Sequence, residues 1–168
     1  MLVVFGGLPG TGKTTLAQAV SQELSAAYVR VDAIESALGR AGIARDQPMG
    51  LAAYAVAHAV AEGCLRTGAR VVVDAVNPVE AAREGWRQLA DRTGKALRVV
   101  EVVCPDAVEH RRRVESRESD LEGYAVPTWA DVEAREYEPW HEPRLVVDTC
   151  AEPADDCVAR ILDYVLKS

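Results

Sequence analysis

Short apolar runs alternate with amphipathic stretches from one end of the chain to the other. Leu2-Val3-Val4-Phe5 is a continuous apolar run that reads as a buried strand. A glycine-rich turn follows it, and then Thr15-Leu16-Ala17-Gln18-Ala19-Val20, the first turns of a helix. Ala27-Tyr28-Val29-Arg30-Val31 reads as a second strand with Asp32 at its carboxyl end, and Ala33 to Leu38 as a short helix closed by Gly39. Met49 to Thr67 is alanine-rich and helical as far as Gly68, and Ala69-Arg70-Val71-Val72-Val73-Asp74 is a β-branched strand suited to the middle of a sheet. Pro78 suits the first turn of a helix that reaches about Arg92 and is stopped by Gly94. Leu97 to Val103 is a fourth strand, and the helix after Pro105 runs to about Arg117. Beyond the polar stretch Glu118 to Val126, Thr128-Trp129-Ala130-Asp131 is a capping sequence for a helix to Tyr137. Leu145-Val146-Val147-Asp148 is a fifth strand, and Pro153 opens a terminal helix.

Strands separated by helices mean βαβ units, so the expected fold class is α/β: a five-stranded parallel sheet with helices on both faces. No repeat, low-complexity tract or linker interrupts the 168 residues, which predicts one domain over 1–168.

The turn after the first strand carries the chemistry. Gly7-Leu8-Pro9-Gly10-Thr11-Gly12-Lys13-Thr14 spells G-x-x-x-x-G-K-[ST], in the strand–loop–helix setting this motif requires. Glycines let successive N–H groups curl towards one point, and the helix N-terminus adds partial positive charge there. The expected ligand is ATP, held by Gly7, Leu8, Pro9, Gly10, Thr11, Gly12, Lys13, Thr14 and Thr15. Lys13 reaches the β- and γ-phosphates and Thr14 ligates Mg²⁺. These residues place the chain among P-loop NTPases.

Composition narrows the class further. Hydrophobic residues make up 49% and charged residues 27%, as in an ordinary soluble protein, and no apolar run approaches the ~20 residues of a membrane span. The first apolar stretch stops at Gly6 without a basic region before it, so it does not read as a secretion signal, and the expected location is cytoplasmic. Cys64, Cys104, Cys150 and Cys157 lack C-x-x-C spacing and read as scattered reduced thiols. A formal charge of −7 counts against broad nucleic-acid binding.

Ligands in such sheets bind beyond the carboxyl ends of the strands, where Asp32, Asp74 and Asp148 stand. Asp74 reads as a metal-associated carboxylate that holds Mg²⁺ through water or orients an acceptor, or else as a cap of the following turn or helix. Asp32 reads as a general base towards an acceptor hydroxyl, or as the N-cap of the helix it precedes. In His110-Arg111-Arg112-Arg113-Val114-Glu115-Ser116-Arg117, Arg113 and Arg117 are four apart, on one helical face. With the polar segment that follows, they read as a small arginine-bearing lid over about 113–128 that neutralises charge on a transferred phosphoryl group. The alternative is a solvated basic face paired with Glu109, Glu115 and Glu118. His110 reads as a surface residue, His58 as structural, and Trp86 as core. Trp129, Tyr137 and Trp140 read as packing near the lid or as a stack for a ring-bearing substrate.

Together these pieces resemble the small P-loop kinases that include polynucleotide 5′-hydroxyl kinases, zeta toxins, chloramphenicol phosphotransferases and gluconate kinases. The resemblance rests on Gly7 to Thr15, on Val71-Val72-Val73-Asp74-Ala75-Val76-Asn77 and on the Arg113/Arg117 pair. It implies an ATP- and Mg²⁺-dependent phosphotransferase with Lys13, Asp32, Arg113 and Arg117 catalytic and Thr14 and Asp74 at the metal. Asp74 to Trp86 looks closest to polynucleotide kinases, which place a base Asp after the second strand and a phosphate-gripping Arg three residues later. Asp32 matches the first, but the second position is Glu35, the wrong sign for a phosphate. Arg30, Arg40 or Arg45 would have to supply that grip. The leading acceptor class is therefore a small hydroxylated molecule, ahead of nucleic-acid 5′-hydroxyls. A nucleotide-dependent regulatory ATPase without an acceptor is the other alternative.

Overall fold

The computed structural model describes residues 1–43 and 47–167, with the side chains of 47 and 48 left aside, so Arg45 lies outside the described residues. Five strands form one all-parallel sheet in the order β2-β3-β1-β4-β5: β1 Leu2–Gly6, β2 Ala27–Arg30, β3 Val71–Asp74, β4 Leu97–Val103 and β5 Leu145–Asp148. The α/β class and strand count agree with the reading of the sequence.

Strand alternation explains how both faces are covered. Leu2, Val4, Val71 and Val73 point to one side, where α3 (Gln47–Arg66) and α4 (Glu80–Thr93) deliver Ala53, Ala57, Ala61, Leu65, Trp86 and Leu89. The alanines at i, i+4 spacing let α3 lie close to the sheet. Val3, Phe5, Val72, Val100 and Val102 point to the other side, against Leu16, Ala17 and Val20 of α1 (Lys13–Glu23) and Cys157, Ile161 and Val165 of α7 (Ala154–Leu166). Strands buried on both faces read as unbroken apolar runs, which is why the sequence shows them so plainly.

Helix boundaries depart from the periodic reading where long-range contacts decide them. α1 starts at Lys13, two residues before Thr15, with Gly12 as a left-handed N-cap, so Lys13 and Thr14 of the motif lie in the helix's opening turn. α2 (Val31–Arg40) follows β2 directly and runs through Gly39. Its N-cap is Arg30, without a side-chain cap bond, so Asp32 is a first-turn residue and not the cap. The helix after Pro78 begins at Glu80 with Val79 as its cap. α5 (Ala107–Glu115) ends before Arg117, and α6 (Trp129–Glu133) ends well before Tyr137, although Thr128 and Asp131 form the expected capping box. The expectation of four free thiols also fails. Cys104, just past β4, and Cys150, just past β5, are joined as a disulfide with Cα atoms 5.5 Å apart, while Cys64 and Cys157 remain free.

β1 ends beneath the turn that leads to Lys13, and a buried polar hub holds it there. Asn77, fully buried and left-handed at φ 51°, donates its amide to the Phe5 carbonyl at 2.8 Å and accepts from Trp86 Nε1 at 2.9 Å. Its own N–H donates to the Tyr54 hydroxyl at 3.0 Å, and its carbonyl accepts from Arg83 Nε at 3.0 Å. The Arg83 guanidinium lies 4.0 Å over the Trp140 ring and donates to the carbonyls of Pro78, Glu138 and Pro139.

Removing the Asn77 side chain strands two buried groups, the Phe5 carbonyl and the Trp86 indole N–H, each costing about 1–3 kcal/mol. An alanine at φ 51° adds left-handed strain that glycine avoids. Asn77→Ala is therefore expected to lose about 2–4 kcal/mol in urea unfolding, with Asn77→Gly recovering part of the strain. Equal stability of Asn77→Ala and the unchanged chain would show that the hub is not structural.

Candidate phosphotransfer site

The loop Gly7 to Gly12 leaves the end of β1 at the point where strand order turns from β3 to β4. Gly7, Gly10 and Gly12 all take positive φ, at 142°, 84° and 90°. A Cβ on Gly7 would overlap the Val102 carbonyl, and one on Gly10 would stand 2.5 Å from Val114 Cγ2. Each therefore requires glycine on two counts, backbone conformation and space. The Thr11 hydroxyl donates to the Leu8 carbonyl at 2.9 Å, closing the turn. Lys13 is only 3% exposed, a cation held at the helix N-terminus inside the loop. A glycine-rich turn at a helix N-terminus with a buried ammonium suits a polyphosphate, so these residues fit ATP.

Two differently built walls flank the loop. On the β4–β5 side, Thr149 donates to the Thr11 carbonyl at 2.8 Å, and Arg113 donates to the Thr149 hydroxyl at 2.8 Å and its carbonyl at 3.1 Å. Arg113 also pairs with Glu109 at 2.7 Å. The hydrogen bonds from Arg112 and then Arg113 hold the Glu109 carboxyl down to about 2.

On the β2–β3 side a cavity of about 240 Å³ opens beside Pro9 of the loop, and Asp32, Glu35, Arg117, Tyr124 and Arg135 line it. Arg117 thus lines the same cavity as Asp32, while Arg113 is bonded to Thr149 on the opposite side of the loop. The expected pair is split because α5 ends at Glu115, so the four-residue spacing no longer follows a helix.

Asp74 sits 2% exposed beside the loop, paired in register with Phe5 of β1. Its Oδ2 accepts from the Tyr28 hydroxyl at 2.8 Å and lies 3.9 Å from Arg30 Nε. Burial and then the Asp74 charge push the Tyr28 phenol far above its ordinary range, so it stays a donor. Arg30, itself 6% exposed, donates from Nη2 to Asp120 at 3.0 Å and from Nη1 to the other oxygen, and the Arg30 hydrogen bond depresses the Asp120 carboxyl. Arg40 donates to Ser36 at 2.9 Å and to the Glu122 carbonyl at 3.1 Å. Of the three arginines that were candidates for a compensating phosphate grip, Arg30 and Arg40 are thus engaged with the 118–126 segment, and Arg45 lies outside the described residues.

This geometry has relatives. Residues 2–134 match the profile of a protein family described as an AAA domain. The chain belongs to that P-loop kinase family. An adenylyl-sulfate kinase from Synechococcus sp. strain JA-2-3B'a(2-13) is 28% identical over 175 residues, spanning 99% of this chain and 92% of the relative. A putative kinase from Chloroflexus aurantiacus superposes with a TM-score of 0.78 at 21% identity, covering 97% of each chain. The Mycobacterium tuberculosis APS kinase CysC, solved with AMPPNP and APS, superposes at 0.73 with 20% identity, covering 99% of this chain and 97% of that one.

Within this kinase frame several residues escaped the sequence. His110 is 7% exposed, not a surface group: its Nε2 lies 2.7 Å from the Pro9 carbonyl, which can only accept, so Nε2 carries the proton. Its ring meets Trp129 edge-on at 5.3 Å and packs against Gly10. Trp129 therefore braces the loop from α6. Trp140 is core, bonded to Tyr137 at 2.8 Å and lying against Gly6. Burial lifts the Tyr137 hydroxyl to about 12. Tyr28, Thr149 and Asp120 carry no local signal, since their partners lie 36 to 138 residues away. Among the described residues no helix is long and apolar enough to cross a membrane.

His58 is structural, wedged 4.0 Å from the Trp86 ring and against Gly85, and its Nε2 is buried without a hydrogen-bond partner. Burial first, and Arg92 second, lower its pKa. An unfolded His58 gains its proton as pH falls through about 6.5 while the folded one stays neutral, so stability is lost from there down to the folded pKa. His58→Gln should show a smaller fall in melting temperature between about pH 7.5 and pH 5 than the unchanged chain. Parallel curves for the two proteins would remove His58 from the acid limb.

Proposed function

We propose that the chain, as one domain, transfers the γ-phosphoryl group of ATP to a hydroxyl of a small-molecule acceptor. The observation that carries this reading is the shared cavity in which Asp32 and Arg117 face the phosphate loop at Pro9. An acceptor hydroxyl in that cavity lies between a carboxylate that can take its proton and a guanidinium that can meet phosphoryl oxygens.

Asp32 accepts the proton as the acceptor oxygen forms its bond to the γ-phosphorus, and the bond from that phosphorus to the bridging oxygen of ADP breaks. Lys13 and the loop N–H groups hold the β- and γ-phosphates in place. Arg117, within the 113–128 lid, stabilises charge gathering on the equatorial oxygens. Arg113 contributes from the other wall by fixing Thr149 against Thr11. Thr14 and Asp74 would hold Mg²⁺, which would supply positive charge to neutralise the phosphates. Nucleic-acid 5′-ends are disfavoured, since Glu35 stands in the acceptor cavity. The adenylyl-sulfate kinase relative makes a nucleotide acceptor the natural competitor in any assay.

Lys13→Ala should weaken ATP binding about 10- to 100-fold by calorimetry, the value of one charge-assisted bond of about 1.5–3 kcal/mol. Undiminished affinity would remove the loop assignment. Asp32→Asn should bind ATP as the unchanged protein does while phosphoryl transfer falls about 100-fold or more. Arg117→Ala should lower kcat more than it raises the KM for ATP, because its partner gains charge only in the transition state. An Arg117→Ala enzyme with unaltered kcat would leave Arg117 as a surface cation.

A further inference from the structure

The disulfide between Cys104 and Cys150 closes a ring of contacts along one wall of the phosphate loop. Cys104 stands two residues before Asp106, the N-cap of α5, whose carboxylate accepts from the N–H groups of Val108 and Glu109. α5 carries His110, bonded to the Pro9 carbonyl, and Arg113, bonded to Thr149. Thr149 precedes Cys150 and donates its hydroxyl to the Thr11 carbonyl. Its Cγ2 stands 3.6 Å from where a Cβ on Gly12 would lie. The ring runs from Cys104 through α5 and Arg113 to Thr149, and back across the sulfur bridge. It meets the loop at Pro9 and Thr11.

Hydrogen bonds, and not the bridge, join the strands. β4 and β5 pair in parallel register as far as Val103 and Asp148, and the Thr149 N–H donates to the Val103 carbonyl at 3.1 Å. The Asp148 carboxylate separately holds the turn beyond β5, accepting from the N–H groups of Cys150 at 2.8 Å and Ala151 at 3.3 Å. With the sulfur bond open, the sheet and that turn keep these bonds. What is lost is the covalent limit on the distance between the start of α5 and Thr149. The two sulfurs also differ in access, since Cys104 is 7% exposed and Cys150 lies at the surface. A thiolate arriving from solvent therefore meets Cys150 first.

Resting on the reading that ATP binds at the phosphate loop, we propose that Cys104–Cys150 is a thiol–disulfide exchange site that sets the loop's nucleotide affinity, its partner a dithiol reductant. One thiolate of the dithiol forms a bond to Cys150 Sγ. The Cys104–Cys150 bond breaks, and its electron pair leaves on Cys104 Sγ, which takes a proton. The second thiolate of the dithiol then closes on the first sulfur, and Cys150 leaves as a thiolate that takes a proton in turn. Two electrons have passed to the cysteines from the dithiol, which is now a disulfide. Cys104 Sγ lies 3.8 Å from the Asp106 carbonyl, an acceptor for the new S–H. Thr149 then holds Thr11 less firmly, and ATP has to order a wall that the bridge had kept in place.

The test compares the full chain treated with oxidised glutathione and with dithiothreitol. Thiol titration in denaturant should find Cys64 and Cys157 alone free in the first, and all four cysteines free in the second. Calorimetry with a non-hydrolysable ATP analogue and Mg²⁺ should give a Kd about three- to tenfold higher for the reduced chain, reversed by reoxidation. By linkage the analogue opposes reduction by the same factor, which moves the midpoint in a dithiothreitol redox buffer by about 14–30 mV to more reducing values. Cys104→Ala combined with Cys150→Ala should bind as the reduced chain does and ignore dithiothreitol. Thr149→Val should bring the two affinities together while the bridge still forms, and Thr149→Ser should keep them apart, because the hydroxyl is what reaches Thr11. Equal or tighter binding after reduction, or a difference that Thr149→Val leaves unchanged, overturns the inference and leaves the phosphotransferase reading standing. So does a chain that keeps all four thiols after oxidation, or one whose circular dichroism shows unfolding on reduction. Absence of analogue binding in both redox states overturns the phosphotransferase reading, and the inference with it.

Discussion

The carboxyl end of β1 is the constraint on which the site depends. Phe5 is fully buried and Gly6 is buried beside it, so their peptide groups cannot turn to water and must find partners in the protein. Asn77 supplies one and the Val76 carbonyl another, accepting from Gly7 N–H at 3.1 Å. The connection between β3 and α4 thus fixes the place from which the phosphate loop departs. Lateral freedom is removed too, because Gly6 lies under Trp140 and Gly7 under Val102. A residue with left-handed backbone and an amide side chain is unusual in a strand exit. Here both properties are needed, one to make the turn towards Pro78 and the other to reach β1 and Trp86.

A second constraint is electrostatic. Arg30, at the end of β2, is nearly excluded from solvent between Asp74 and Asp120, yet Asp120 itself has a side chain that is 55% exposed. The pair is therefore unequal. Asp120 can be solvated if the contact opens, whereas Arg30 and Asp74 would remain buried with each other and Tyr28 alone. Together with Ser36 donating to the Glu122 carbonyl at 2.8 Å, this docks the 118–126 segment on α2 and β2. Arg117 lies between the end of α5 and this anchored stretch, which explains how a residue outside any helix reaches the cavity shared with Asp32.

How much of this was legible follows from the range of the interactions. The strands, the loop and the parallel sheet come from apolar runs and a spacing motif, which are local and survive as pattern. Asp32 stood out because position after a strand is local too, whereas Glu35 did so only through the resemblance to polynucleotide kinases. What failed was every inference that extended a helix past its real end. Arg113 and Arg117 were placed on one face by a helix that stops at Glu115, and Tyr137 was assigned to a helix that stops at Glu133. His110 looked like part of a charged surface because its partner is the Pro9 carbonyl, 101 residues earlier. The Cys104–Cys150 disulfide is invisible for the same reason: the cysteines are 46 residues apart and meet only because β4 and β5 are neighbours.

The two walls of the phosphate loop are built for different tasks. On the β4–β5 side the disulfide joins the two strand ends, and the Arg113–Thr149–Thr11 chain ties them to the loop. On the β2–β3 side the contacts are apolar surfaces and a few charges around an open space. Rigid hydrogen-bonded geometry suits a ligand whose phosphates are always the same, since preorganised donors need no rearrangement as charge develops. Apolar walls discriminate weakly, by only about 10- to 200-fold for one methylene group, and tolerate changes of side chain. The division therefore lets acceptor preference shift through substitutions on α3 and the Tyr124 to Arg135 segment without disturbing the hub at Asn77 that holds the loop.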